Sequence, residues 1–337
     1  MRGARSRAIV TALSAAVLIS AGCSGSSSDD TAQQGAEDDF RVAVLTSGPV
    51  NDNGYNADAQ RAADYIAEEH GAEVAVSESV PVPNQADVYR QFAQQGYDLV
   101  IGWGGQYSDG AVEVSAEFPD VTFLVVNSNV ENGSNLGSLD HAIEDWHFMV
   151  GWLQAKLSKT GVIGWIGAQC FPATAAGQHG TEQGAEYADP DITIHSTFTG
   201  DFEDPTKARQ AATAMIESGA DVLSGNLNNA YPGVFDAARS AGDVLVITEW
   251  ADNHEIAPDV IVSSVLKSLV RFVGEAVETV QDGTFAGEAL FHPLPEDWGP
   301  ILSDTELLPD ELYEEALEVQ AKIASGEIDV EHDETCE

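Results

Sequence analysis

From residue 40 onward the chain alternates short aliphatic runs with helical patterns, many closed by glycine, and that alternation restricts it to folds built on parallel sheets. Parallel strands cannot be joined by tight hairpins; each needs a crossover long enough to hold a helix. Residues 41–46 form a compact apolar run that ends at Ser47-Gly48-Pro49, and residues 56–70 follow as a helix stopped by Gly71. Further strands are expected at 74–76, 99–101, 121–126, 162–166, 192–197, 222–223, 244–247 and 260–263. Helices are expected at 85–95, 144–157, around Thr181 and at 205–218. A weak internal echo accompanies the rhythm: residues 91–102 resemble residues 214–225, each a helix ending at glycine (Gly96, Gly219) before a buried strand. Any doubly wound protein repeats such units, so the echo supports the architecture without establishing a duplication.

The expected fold class is α/β, with two lobes, each a parallel sheet flanked by helices, hinged around a ligand cleft. Lobe 1 is expected over about 40–150 plus part of 250–300, and lobe 2 over about 151–248 plus C-terminal segments. About 300 residues suffice for two lobes with separate cores.

Residues 1–22 read as a leader: Arg2, Arg5 and Arg7 precede an apolar stretch too short to span a bilayer, and Ser20-Ala21-Gly22-Cys23 follows. This grammar points to a bacterial lipoprotein, cut before Cys23 and lipidated there, although Ser20 stands where a large aliphatic residue is usual. An ordinary secretory leader with Cys23 unmodified is the alternative; both place the mature protein outside the cytoplasm. Residues 23–39, poor in large apolar side chains and rich in Ser and Asp, read as a flexible tether.

Formal charge is −42, and loss of the leader leaves 11 basic side chains against 56 acidic ones, which excludes nucleic acid as a general partner. So acidic a surface suits high salt, or an acidic extracellular protein of ordinary habitat. With Cys23 lipidated, Cys170 and Cys336 remain as a pair, either bridged or as two free thiols.

Ligands of open parallel sheets bind at the carboxyl ends of the strands, so the loops there are the candidates for chemistry. They are rich in aromatics and amides. Tyr55, Trp103, Tyr107, Phe171, Tyr231 and Trp250 offer stacking faces, and Asn51, Asp52, Asn56, Asn127, Asn228 and Asp252 offer donors and acceptors. Lys267, one of five lysines, closes an apolar strand and is placed to meet a ligand hydroxyl or a cleft carboxylate such as Asp109 or Asp252. Catalytic signals are thin. The eight histidines show no metal-ligand spacing, the run Gly102-Trp103-Gly104-Gly105 lacks a phosphate-loop pattern, and there is no Gly-x-Ser-x-Gly elbow. Glu203-Asp204 reads as a solvated helix cap. No cofactor, no metal and no enzymatic activity are expected.

These loops resemble those of the basic membrane protein family, lipoproteins that serve as substrate-binding components of ABC importers, many of them for purine nucleosides. Asn51-Asp52-Asn53-Gly54-Tyr55-Asn56 is similar to that family's Asn-Asp-x-Ser-Phe-Asn, and residues 200–207 (GDFEDPTK) to its Gly-Ser-Phe-x-Asp-Pro-x-Lys. Residues 233–238 (GVFDAA) resemble its Gly-Val-Phe-x-Ala-Ala, and residues 257–267 its Ala-Pro-x-x-Val-Leu-Thr-Ser-x-x-Lys. The resemblance covers about residues 40–287 and implies a type I periplasmic-binding-protein fold. It implies a monomer that presents a nucleoside-like ligand to a membrane ABC permease. It also implies that Tyr55 stacks on the base with Asp52 and Asn56 beside it, that Asp109 is an acidic cleft residue and that Lys267 contacts ribose. Two positions depart from the family: Gly177 replaces a stacking Phe, and Trp250 replaces an acid that binds ribose, leaving Asp252 alone. A flat, largely neutral ligand is therefore expected, with a nucleoside or nucleobase first and another heterocycle or polar metabolite second. A ligand sensor for a membrane receptor and an extracytoplasmic nucleoside or sugar hydrolase are the alternatives.

Overall fold

The computed structural model describes residues 40–336. The leader, Cys23 and the tether lie outside the described residues. Strands β1 (Arg41–Leu45), β2 (Glu73–Ser77), β3 (Leu99–Trp103), β4 (Thr122–Val126) and β5 (Leu136–His141) alternate with helices α1 (Tyr55–Glu69), α2 (Gln85–Gln94) and α3 (Ser108–Ser115). After α4 (Ile143–Leu157) come β6 (Val162–Gly167), α5 (Pro172–Ala188), β7 (Thr193–Phe198), α6 (Pro205–Glu217), β8 (Val222–Asn226), α7 (Tyr231–Ala241), β9 (Leu245–Glu249) and β10 (Ile261–Val265). The chain closes with α8 (Val270–Gln281), β11 (Ala289–His292) and α9 (Asp310–Ala324).

All named strands pair in parallel, in a six-stranded sheet ordered β11-β5-β4-β3-β1-β2 and a five-stranded sheet ordered β10-β9-β8-β6-β7. Apart from the added edge strand β11, both follow one winding order, in which the second strand flanks the first on one side and the third, fourth and fifth follow on the other. The two segments of the sequence echo fall at equivalent places: each closes a helix, α2 or α6, and opens the third strand of its sheet, β3 or β8. Gly96 and Gly219 both take positive φ where those helices stop.

Central strands are apolar on both faces because helices cover both: Val42, Ala43, Val44 and Leu45 of β1 are fully buried, as are Leu99, Val100 and Ile101 of β3. One face of each sheet has its own apolar cluster, under α2 and α3 for the first and under α6 and α7 for the second. The expectation of separate cores is otherwise corrected. A single cluster runs from β1, β3 and α1 through α4 to β10, α8 and α9, because the chain crosses between the sheets and shares its helices. Strands β9 and β10 belong to the second sheet, whereas α8 packs on α1 and β11 joins the first sheet.

The tightest joint lies between α4 and α5. Gly177, Gly180 and Gly184 share one face of α5, and Gly151 faces them from α4. A methyl group at Gly151 would overlap the Thr181 carbonyl, one at Gly184 the Phe148 carbonyl, and one at Gly180 would lie 2.5 Å from the Glu144 oxygen. The two helix backbones are thus in direct contact. Alanine at an ordinary helix position stabilises relative to glycine by roughly 1 kcal/mol. Here Gly184→Ala is expected to destabilise instead, by about 1–3 kcal/mol, since overpacking outweighs propensity; urea unfolding of the variant gives the sign.

Candidate functional site

A cavity of about 740 Å³ opens between the carboxyl ends of the two sheets. Its lining comes from β11 and the segments after β1 to β5 on one side and from the segments after β6 to β10 on the other. Eight of the expected site residues or their immediate surroundings meet here: Tyr55, Asn56, Asn127, Phe171, Asn228, Trp250 and Lys267 line the cavity, and Trp103 stands behind Tyr55.

The first loop is built by Asp52. Its carboxylate accepts from the backbone N–H groups of Gly54 (2.9 Å), Asn56 (3.1 Å) and Ala57 (2.9 Å) and from Asn56 Nδ2 (2.7 Å). Those bonds satisfy donors at the start of α1 and occupy both oxygens, so Asp52 supports the site from beneath. Asn56 Oδ1 in turn accepts from Gly48 N (3.2 Å) and Ser47 Oγ (3.3 Å), which holds the loop after β1 against the helix. Tyr55 then points into the cavity, its hydroxyl donating to Asn127 Oδ1 (2.9 Å). Fully buried Trp103 donates its indole N–H to the Tyr55 carbonyl (3.0 Å) and backs the ring at 6.0 Å. Burial raises the Tyr55 phenol well above its ordinary value, so it remains a neutral donor.

Trp250 completes an aromatic wall, its ring 5.0 Å from that of Tyr55 at 55°. Its φ of 77° is costly for a bulky side chain and is held where buried Asn253 donates to the Glu249 carbonyl across the turn (3.1 Å). Asn127 likewise has φ 55°. Phe171 stands at the mouth, 43% exposed, at the start of α5.

Behind the wall lies a buried charge group that sequence reasoning placed differently. Lys267 pairs with Glu249, not with Asp109 or Asp252, and its ammonium also donates to His147 Nε2 (3.0 Å) and sits 4.4 Å from the centre of the Trp250 ring. Lys267, Glu249 and His147 are each at most 3% exposed. Burial opposes ionisation of Glu249, but the Lys267 ammonium outweighs it and holds the carboxyl below its ordinary value. Burial and Lys267 push His147 down, keeping it neutral. Gly177 makes room for this group: a methyl there would lie 3.2 Å from the His147 ring. Asp58 on α1 anchors the next residues, accepting from Leu269 N and Ser268 Oγ, both at 2.8 Å.

Besides Asp52 and Trp103, which support the site from beneath and behind, three expected residues stand apart from the cavity lining. Asn51 and Asp109 are exposed, and Asp252 is an exposed acceptor for His254 N (3.1 Å) in its own turn. The half-buried cap Asp204 accepts from Thr206 N and Lys207 N at the start of α6, as its neighbours in sequence suggest. Cys170 and Cys336 form a disulfide, with Cα atoms 6.0 Å apart.

Sequence reasoning passed over Glu249, His147, Asp140 and His141. An acid ending the apolar run of β9, directly before Trp250, was a usable signal for Glu249; His147 lies in so apolar a helix that nothing marked it. Asp140 and His141 end β5 and line the cavity. Burial pushes Asp140 up to about 7, with Glu334 and Glu144 adding to it against the His141 N–H. Among the described residues no group of three His, Cys, Asp or Glu side chains is arranged to hold a metal ion, and no helix is long and apolar enough to cross a membrane.

Two outcomes follow from these charges. Glu249→Gln leaves the Lys267 ammonium buried without its carboxylate, and a loss of about 3–5 kcal/mol in urea unfolding is expected, largely recovered when Lys267→Met is added. For Asp140, the folded state holds the proton more tightly than the unfolded chain, whose aspartate titrates near ~3.9. Stability tied to that proton is present at pH 4 and is lost as pH rises through about 7. Asp140→Asn is therefore expected to melt above the wild type at pH 8 and level with it at pH 4, as read by circular dichroism.

Against known proteins, a family model described as Bmp, "ABC transporter substrate-binding protein PnrA-like", matches residues 40–334. Basic membrane protein A2 of Borrelia garinii subsp. bavariensis is 27% identical over 294 residues, covering 86% of this chain and 87% of its own. A purine-binding protein of Brucella abortus is 25% identical over 296 residues, covering 87% and 83%. Among solved structures, an ABC transporter solute-binding protein of Conexibacter woesei superposes with a TM-score of 0.69 at 25% identity, covering 87% of this chain and 99% of its own. One from Aeropyrum pernix gives 0.74 at 24%, covering 87% and 94%, a likeness of fold.

Proposed function

This chain belongs to the Bmp family of PnrA-like ABC transporter substrate-binding proteins, and we propose that within the family it is a lipid-anchored receptor for a purine nucleoside or nucleobase. Membership makes it an extracytoplasmic solute-binding protein rather than a catalyst, with a small-molecule ligand and a membrane permease as its partner. The finer reading rests chiefly on one observation: Tyr55 and Trp250, ring centres 5.0 Å apart, form one aromatic wall of a cavity otherwise rich in amides. Each face of such a wall stacks a flat heterocycle, and Asn127, Asn228 and Asn56 supply donors and acceptors to its edges. The purine-binding relative in Brucella abortus favours the same class.

Charge narrows the choice. The lysine at the position that contacts ribose in this family is here neutralised by Glu249, while Asp140 adds an acid to the lining. A neutral or donor-rich ligand fits that lining, and an anionic one, such as a nucleotide, does not. Phe171 across the mouth offers a second face, in place of the Phe that Gly177 replaces. Closure of the two sheets' flanks about the ligand, as in hinged binding proteins, would present a defined surface to the permease. Lipid on Cys23 would keep the receptor close to that partner.

Titration calorimetry against adenosine, guanosine, inosine and the free bases tests the ligand class. Binding of at least one purine is expected, weakened in Tyr55→Ala by about 1–3 kcal/mol, roughly 5- to 150-fold. No heat with any purine would overturn the class. Cys23→Ser in the native host is expected to move the protein from the membrane fraction to the medium or periplasm.

A further inference from the structure

Beyond α9 the chain runs as an irregular segment to Cys336, and this segment is neither loose nor remote from the cavity. Ile328 and Val330 pack against the shared core. Glu331 is then held on both sides by one side chain of α5: Gln183 Nε2 donates to the Glu331 carbonyl and Gln183 Oε1 accepts from its N–H, both at 2.8 Å. His332 Nδ1 lies 2.8 Å from Glu144 Oε1 at the start of α4, and its ring stands edge-on to Phe291 of β11 at 5.7 Å. The Thr335 carbonyl meets His179 Nε2 of α5 at 2.9 Å. Cys336 finally bridges to Cys170, the residue before Phe171.

The path has a direction. It starts on α5, which flanks the second sheet, reaches β11 at the edge of the first, and returns to the loop that carries Phe171. His332 and Glu334 line the cavity on the way, beside Asp140 and Phe291. The segment therefore spans the cavity mouth from one sheet to the other.

We propose that residues 328–336 are a strap that forms one wall of the ligand cavity, and that the Cys170–Cys336 bridge keeps that wall closed. Chain termini without such a tie fray, because a few backbone hydrogen bonds exposed to water do not offset the entropy of ordering. With the bridge, the segment and Phe171 move as one body; without it, both the wall and the stacking face at the mouth open to solvent. The strap presents an imidazole and a carboxylate to the ligand, groups suited to hydroxyl or amine donors such as those of a nucleoside. This last point rests on the function proposed above; the strap itself does not.

Two measurements on the full protein separate the two. Hydrogen–deuterium exchange of ligand-free wild type, Cys336→Ser and Cys170→Ser reads the strap directly. Exchange about tenfold faster is expected in residues 328–336 and 169–175 of both variants, with the central strands unchanged. Gln183→Ala, which keeps the bridge, is expected to loosen residues 328–336 alone and guards against misfolding of the cysteine variants. Calorimetry with adenosine then reads the wall: binding at least about tenfold weaker in both cysteine variants is expected. Unchanged exchange on cutting the bridge would overturn the strap, as would equal adenosine affinity in wild type and variants. If wild type takes up no purine, the ligand class falls, and exchange alone decides the strap.

Discussion

The contact on which the site depends is the backbone crossing of α4 and α5. Glycines at 151, 177, 180 and 184 let the two helices touch where any side chain would hold them apart. That closeness brings His147 of α4 up to Lys267, and Lys267, fixed also by the anchoring of Ser268 and Leu269 to Asp58, up to Glu249 and under Trp250. Gly177 thus has a packing meaning. The missing side chain leaves room for the His147 ring inside the joint, and the aromatic wall of the cavity is built by Tyr55 and Trp250.

The same joint governs electrostatics. A chain with so many carboxylates has few cations to spare, and one of its five lysines is spent in the interior. Burying one charge would cost several kcal/mol; burying it with a carboxylate and an imidazole acceptor offsets that cost. The consequence, among the described residues, is a cavity whose one buried cation is already matched, and whose remaining charged lining is chiefly acidic. On the function proposed above, selection falls to stacking and hydrogen bonds rather than to charge attraction. The C-terminal strap continues that theme, adding His332 and Glu334 at the mouth.

Much of this was legible in the chain itself. Strands buried on both faces announce themselves as unbroken aliphatic runs, which is why β1, β3, β4, β6 and β9 stood out. β5 did not, because Gly137, Ser138, Asp140 and His141 interrupt its pattern; β11 is an exposed edge strand, and α8 and α9, though stopped by Gly283 and Gly326, each follow an irregular segment. In the site, Tyr55, Asn127 and Trp250 were visible as aromatics and amides at strand ends. Asp52 was visible too, but not that capping α1 would consume both its oxygens. Glu249 was marked as the acid ending an apolar strand, but its pairing with Lys267, eighteen residues on, was not.

By itself the sequence determined the fold class and the end of each sheet at which the cavity opens, because hydrophobic period and glycine stops are local properties, read a few residues at a time. It also determined the family, since the loop motifs occur in order along most of the chain. Only the tertiary structure decided which carboxylate meets Lys267, that Gly177 serves a helix crossing, and that Cys170 and Cys336, 166 residues apart, close a strap over the cavity. Those are relations between distant segments. Pairing across such distances depends on how two sheets and a shared helix joint are placed in space, and no local pattern in the chain encodes that placement.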